Sequence, residues 1–414
     1  MVRWPGRFDT LLVVGCFLAI VVTASGAMAA DKPLKVFVLA GQSNMQGHAS
    51  VTTFDSMADD PKTAPLLKEM RDKDGKPKVS EKVWITSVGC QGDAYTDLRE
   101  QTGKLTVGYG AFGLEGNCIG PEYAFGLAME KRLNEPILII KTAWGGRSLH
   151  TDFRPPSAGP YEWSEYELGQ CKERGDDLKI IKAEKVKATG VYYREMIAHV
   201  QNVLEDIKRV VPDYDSKQGF ELAGFVWFQG FNDYVSDWTY DKQMKPGGYD
   251  LYADLLAQFI RDVRKDLSAP KLPFVIGVMG IDGMKGDKKA PMMHFRDAQR
   301  KAAALDEFKG NVAAVETAPY WDDDLEALAE RMEMLNDKLQ LKFEKNPKLK
   351  PVAKDTARKK AIEEEFTPAE LKRFNAGVSN GGYHYLGAAK ILAPIGKAFA
   401  EEVVNLDAPE PAKK

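Results

Sequence analysis

From Leu34 onward, short runs of consecutive apolar residues alternate with longer stretches in which apolar positions recur every three or four residues. The runs Val36-Phe-Val-Leu-Ala40, Pro136-Ile-Leu-Ile-Ile-Lys-Thr142, Leu222 to Phe228, Phe274 to Val278 and Val312 to Val315 have the character of strands covered on both faces. The stretches Pro121 to Arg132, Tyr192 to Val211, Tyr249 to Leu267, Phe295 to Leu305 and Tyr385 to Val403 read as helices, the first with a proline where a first turn tolerates one. This alternation predicts an α/β fold: a doubly wound three-layer α/β/α sandwich around a mostly parallel sheet.

Two stretches break the rhythm. Residues 50–118 are rich in glycine and charge and are expected to form loops decorating the face near a site. Residues 322–375 are highly charged with a helical pattern, as in Leu325-Glu-Ala-Leu-Ala-Glu-Arg-Met-Glu-Met-Leu335, and are interrupted by Pro347 and Pro351. They read as a solvated helical hairpin. The expected organisation is one domain over 31–406 carrying both insertions, followed by a frayed tail at 407–414.

The N-terminus changes the picture. Arg3 and Arg7 precede the apolar run Leu11 to Val22, and small residues from Ala24 to Ala30 follow. That order is a secretory signal peptide over residues 1–30, which predicts a secreted or periplasmic protein with no stable membrane insertion after cleavage. The run is about half of the roughly twenty residues that a membrane-spanning helix needs. Val13-Val-Gly-Cys16 resembles a lipobox, but Cys16 sits mid-run rather than at its end.

Composition excludes more than it identifies. With 57 Lys plus Arg against 60 Asp plus Glu in 414 residues, no basic excess points to nucleic acid. Beyond residue 30 the cysteines are Cys90, Cys118 and Cys171. In an exported protein Cys90 and Cys118, which flank one Gly-rich segment, are the expected disulfide pair, although buried structural thiols are the simpler reading of all three. No CxxC or His-rich spacing points to a metal.

In a doubly wound sheet, ligands bind beyond the carboxyl ends of the strands. Gly41-Gln-Ser-Asn-Met-Gln-Gly47 follows the first strand and places Ser43 at the centre of a tight turn. Taken alone, such a serine is more often a helix cap than a nucleophile. Ala143-Trp-Gly-Gly-Arg-Ser148 follows the second of the apolar strands, and its two glycines allow close backbone approach to a ligand. Gln229-Gly-Phe-Asn-Asp233 offers Asn232, a neutral donor suited to a developing negative charge, or else an Asx turn. Near the end, Ser379-Asn-Gly-Gly-Tyr-His-Tyr-Leu-Gly387 carries His384, whose ring can move protons near neutral pH or simply pack. His48 follows the serine turn and competes for the role of base, while His199 lies in a helical run and reads as a surface or packing residue.

Together these four turns, in this order, resemble the SGNH hydrolases, and among them the sialate O-acetylesterase-like and acetylxylan-esterase-like group. The Gly41-Gln-Ser-Asn-Met45 block is the most specific part, and the resemblance covers most of 34–404. It implies a serine esterase, free of cofactors, that removes O-acetyl or other short acyl groups from a carbohydrate. It implies Ser43 as nucleophile and His384 as base. It implies an oxyanion hole from the N–H of Ser43, the N–H of Gly145 or Gly146 and the side chain of Asn232. Gln42, Gln229, Asp233 and Arg147 would shape the substrate pocket.

The chain departs from the family at one point. An acidic residue usually stands two or three positions before the histidine; here those positions are Gly382 and Gly381, with Asn380 one residue earlier. The expectation is a dyad, or a triad in which a backbone carbonyl, Asp233 or an acid of Asp322-Asp-Asp324 orients the base. Asn380→Ala is then expected to keep most activity. The other readings are a non-catalytic carbohydrate-binding protein on the same fold, and an esterase for lipid or thioester acyl groups. The polar, Gly-rich loops give no hint of the apolar channel that lipid chemistry wants.

Overall fold

The computed structural model describes residues 32–90, 98–112 and 117–407. The expected leader and the tail from 408 lie outside the described residues. The nine strands among those residues are β1 (Leu34–Gly41), β2 (Ala49–Ser50), β3 (Val83–Val88), β4 (Glu100–Lys104), β5 (Cys118–Ile119), β6 (Ile137–Ala143), β7 (Phe220–Phe228), β8 (Phe274–Val278) and β9 (Val312–Glu316).

Seven of these form one sheet in the order β4-β3-β6-β1-β7-β8-β9. All neighbours pair in parallel except β4, which runs antiparallel to β3 at the edge. Every residue of β3, β6 and β8 is buried, as a parallel sheet covered on both faces requires. The helices Pro121–Leu133 and Ala389–Asp407 pack together, and so do Asp250–Asp266 and Met292–Ala303. The doubly wound α/β/α prediction therefore holds. The chain leaves β1 to one side for β3, β4 and β6, then crosses to the other for β7, β8 and β9. β1 is thus the switch point, and the turn that follows it opens into the crevice.

The five predicted strands and the helices over 121–132, 249–267 and 295–305 fall where observed, within a few residues, while the helix expected over 192–211 runs Val191–Glu205 and is followed by a separate turn at Ile207–Arg209. Two expectations need correction. Residues 50–118 do not merely decorate a face: they supply β3 and β4 to the main sheet, and β2 with β5 form a separate two-residue ladder beside the serine turn. The last helix begins at Ala389, not Tyr385. Residues 382–387 form a tight turn in which Tyr385 and Leu386 take left-handed φ values of 54° and 60°. Of the two cysteine readings the simpler one holds: Cys90, Cys118 and Cys171 are all free and buried, and Cys90 does not pair with Cys118; burial pushes the thiols of Cys90 and Cys118 up, away from the reactive thiolate.

The charged stretch is helical as expected. It comprises Asp323–Glu344, Pro351–Glu365 and Pro368–Gly377, and the middle helix buries no residue. No described helix is long and apolar enough to cross a membrane.

Candidate active site

Ser43 opens a four-residue helix, Ser43–Gln46, directly after β1. Glycine is required on both sides of it. A Cβ at Gly41 would lie 2.2 Å from the Phe228 carbonyl oxygen, and Gly47 has φ +83° with a Cβ position 1.9 Å from Gly120 Cα. The end of this short helix is held from beneath. Lys141, fully buried in β6, donates to the carbonyls of Gln46 at 2.8 Å and Tyr109 at 2.7 Å, and to the equally buried Glu122 carboxylate at 2.7 Å. Glu122 also accepts the Gly120 N–H at 2.9 Å. Sequence reasoning passed over this pair, although a lone lysine in an otherwise apolar parallel strand was a usable signal. Removing one member of such a buried pair costs about 3–5 kcal/mol.

A chain of amides then connects β1 to β7. Gln42 Oε1 accepts the N–H groups of Gly230 at 3.1 Å and Asn232 at 3.3 Å, together with Gln229 Nε2 at 3.1 Å. Two backbone donors on that oxygen fix which end of the Gln42 amide is which. Gln42 Nε2 must then donate, and it does, to Asn232 Oδ1 at 2.7 Å and toward Ser43 Oγ at 3.5 Å. With its oxygen occupied, Asn232 keeps its Nδ2 as the group available to a ligand.

Asp233 lies deeper. Fully buried, it accepts from Leu149 N–H at 2.7 Å, His150 N–H at 3.0 Å, Tyr240 Oη at 2.8 Å and Gln229 Nε2 at 2.6 Å. Burial pushes its carboxyl up to about 6, against the pull of these four donors. It anchors the turn after β6 and is not the partner of His384. Gln229 is likewise buried, so these residues set the backbone of the pocket from below. Arg147 stands within 3.4 Å of Asp152 and over the Tyr192 ring at 4.3 Å. Gly145 is buried and Gly146, at φ +72°, is exposed in the same turn.

His384 sits in the strained turn before the last helix. The Gly381 N–H donates to Asn380 Oδ1 at 2.8 Å, which identifies that atom as the oxygen. His384 Nδ1 lies 3.0 Å from the same oxygen, so Nδ1 carries the proton and donates. The unprotonated lone pair is then on Nε2. The orienting group is therefore Asn380, and the three expected alternatives are set aside. Asp233 is committed as described. Asp322 caps its own helix through Asp324 N–H and Leu325 N–H and pairs with Lys390 at 2.7 Å. The Nδ1 acceptor is a side-chain amide, not a backbone carbonyl.

His48, the other candidate base, lies against His384: the two rings stack face to face, centroids 3.8 Å apart and 4° from parallel. His48 Nε2 is buried without a hydrogen-bond partner among the described residues. The Ser379 hydroxyl joins the two loops, accepting Ser50 N–H at 3.2 Å while lying 2.7 Å from the Gly387 carbonyl and 3.3 Å from that of His48. Burial, then the neighbouring ring, holds His384 down to about 3; burial, then Lys141, holds His48 down to about 4. Both rings are thus neutral at neutral pH. His199, half-buried, lies 3.3 Å from Thr86 Oγ1 and 3.9 Å from Glu100, away from this cluster.

A serine turn at the switch point of a parallel sheet, oriented amide donors and a neutral histidine are the kinds of group that ester hydrolysis uses. Comparison at the family level gives that class a name. Residues 33–332 match the family described as carbohydrate esterase, sialic acid-specific acetylesterase, and the chain belongs to it. The match spans Ser43, the Gly145-Gly146 turn and Asn232 but ends before His384. Among solved structures, similar chains include a protein from Arabidopsis thaliana (17% identity, TM-score 0.36, 69% of this chain and 86% of that one). A carbohydrate acetylesterase from Xanthomonas citri is another (16%, 0.38, 69% and 51%), as is NanS (12%, 0.38, 69% and 78%). No curated protein sequence gives a significant match.

Proposed function

We propose that this protein is a serine esterase that removes O-acetyl or other short acyl groups from a carbohydrate through an acyl-enzyme. Ser43 Oγ forms a bond to the ester carbonyl carbon while His384 Nε2 takes the hydroxyl proton. The resulting oxyanion is met by the N–H of Ser43, the N–H of Gly145 or Gly146, and Asn232 Nδ2. Collapse breaks the bond to the sugar oxygen, which takes the proton from His384, and the acyl group stays on Ser43. Water, deprotonated by the same nitrogen, repeats the sequence and releases the carboxylic acid.

The observation that carries this reading is the pair of amides whose orientation backbone N–H groups dictate. Through Gln42, they leave Asn232 with a donor to spare; through Asn380, they leave His384 with its lone pair on Nε2. Asn380 and His48 are positioning residues, and so are Gln42, Gln229 and Asp233. The family description supports a carbohydrate as the substrate, and the N-terminal apolar segment supports export to where such polymers are met.

The test is hydrolysis of p-nitrophenyl acetate and of an acetylated xyloside by the purified protein, beside Ser43→Ala and His384→Ala. Turnover by the wild type, with both variants slower by several orders of magnitude, is the expected result. Equal rates for all three would refute it.

A further inference from the structure

Each of the two side chains proposed to meet the reacting ester from outside the serine turn follows an aromatic residue. Phe231 precedes Asn232, and Tyr383 precedes His384. The turns that carry them lie far apart in the chain, yet the two rings meet, with centroids 5.9 Å apart and planes 35° from parallel. Tyr383 also stands edge-on to the His384 imidazole at 4.4 Å. Its inner side rests on Gly381, where an added Cβ would come within 2.7 Å of the ring. Its remaining surface is open: Tyr383 is 49% exposed, beside a histidine that is largely covered. Phe231 is half-buried and backed by Tyr234 at 6.2 Å.

A ring that packs for stability is driven out of water, whereas Tyr383 is seated on glycine and left half in solvent. An exposed, preformed apolar surface bordered by polar, chemistry-bearing groups is the usual makeup of a ligand site. A pyranose ring fits such a surface. One of its faces is largely C–H, which packs on aromatic rings, while its hydroxyls point to the rim, where they remain solvated or hydrogen-bonded.

We propose that Phe231 and Tyr383 form the sugar subsite of this protein, a platform that takes the C–H face of an O-acetylated pyranoside and so delivers its acyl carbonyl to Ser43 and Asn232. The proposal rests on the esterase reading above and adds to it a substrate class, the intact pyranose ring. Acyclic acyl esters have no such face and gain nothing from the platform.

The experiment compares a mono-O-acetylated methyl xylopyranoside with ethyl acetate, using wild type, Ser43→Ala, Phe231→Ala, Tyr383→Ala and Tyr383→Trp. Tyr383→Ala is expected to raise KM for the xyloside roughly three- to ten-fold, the range of one lost aromatic contact, with a smaller change in kcat. The ratio of kcat/KM on the xyloside to that on ethyl acetate falls with it. Tyr383→Trp restores the ratio, and Phe231→Ala lowers it in the same direction. Ratios unchanged in both alanine variants overturn the platform while leaving the esterase standing. If wild type hydrolyses neither ester faster than Ser43→Ala, the esterase reading is what fails. Saturation-transfer NMR with methyl xylopyranoside, which needs no turnover, then decides the platform: loss of the signal in Tyr383→Ala supports it, and an equal signal in both proteins overturns it.

Discussion

On the serine side of the site, Gln42, Gln229, Asn232 and Asp233 form a buried chain of hydrogen bonds whose ends are backbone N–H groups of the turns after β6 and β7. On the histidine side, His384 stands in a turn with two left-handed residues, and its ring is held by one amide oxygen, the face of His48 and the edge contact with Tyr383. The first arrangement is over-determined at Gln42 and Gln229, each of which has several partners that agree on its orientation. The second relies on few contacts, and it uses a neutral acceptor where the related esterases usually have a carboxylate. A carboxylate stabilises the imidazolium that forms during the reaction; an amide oxygen fixes ring and tautomer but supplies only a dipole. With His384 as the base, Asn380 supplies the positioning without the charge that an acid would add.

That contrast can be broken from either side. The largest effects fall on the proposed nucleophile and base: Ser43→Ala and His384→Ala should each lower kcat on p-nitrophenyl acetate by at least about ten-thousand-fold. Next comes Asn232→Ala, which removes one oxyanion donor and should cost about a hundred- to thousand-fold in kcat with KM little changed. A loss below ten-fold there would mean that Asn232 Nδ2 does not face the oxyanion.

Asn380 gives the sharpest comparison between the two sides. Asn380→Asp replaces the neutral acceptor by a charged one and should raise kcat roughly ten-fold, because charge-assisted hydrogen bonds are about twice as strong as neutral ones. Because Asn380 holds His384 Nδ1, Asn380→Ala should not keep most activity, as the sequence led us to expect, but lower it by a similar factor, still far less than His384→Ala. Steady-state rates of the two variants measure the pair, and a loss in Asn380→Ala equal to that of His384→Ala would make Asn380 more than a positioning residue.

The smallest effects concern His48 and pH. His384 needs to be neutral to act as a base, and its folded value of about 3 lies below the ordinary 6.5. The acid limb of kcat/KM should therefore lie well below pH 6.5, with activity flat from pH 8 down to about 5. A half-loss near 6.5 would show a ring more open to water than the structure gives. His48→Phe keeps a flat partner but removes a second charge from beside His384, so the limb should move upward. His48→Ala should in addition lower kcat roughly three- to ten-fold through loss of the stack.

The sequence by itself determined the layered fold, because strands buried on both faces must be continuously apolar and the helices that cover them must be amphipathic. It also determined Ser43, Asn232 and the Gly145-Gly146 turn as candidates, because these lie within a few residues of a strand end, where a doubly wound sheet opens. It did not reveal β3 and β4, since Val83–Val88 lies in a stretch dominated by glycine and charge and β4 is a polar edge strand. The Lys141–Glu122 pair, the Asn380 contact and the stack of His48 on His384 were decided by tertiary structure alone. Each joins residues whose own segments do not name the partner, and the His48–His384 contact joins the start of the chain to its end. Local periodicity reports which way a side chain faces, but a hydrogen bond or a ring stack depends on which other segment arrives there, and only the packed sheet brings those segments together.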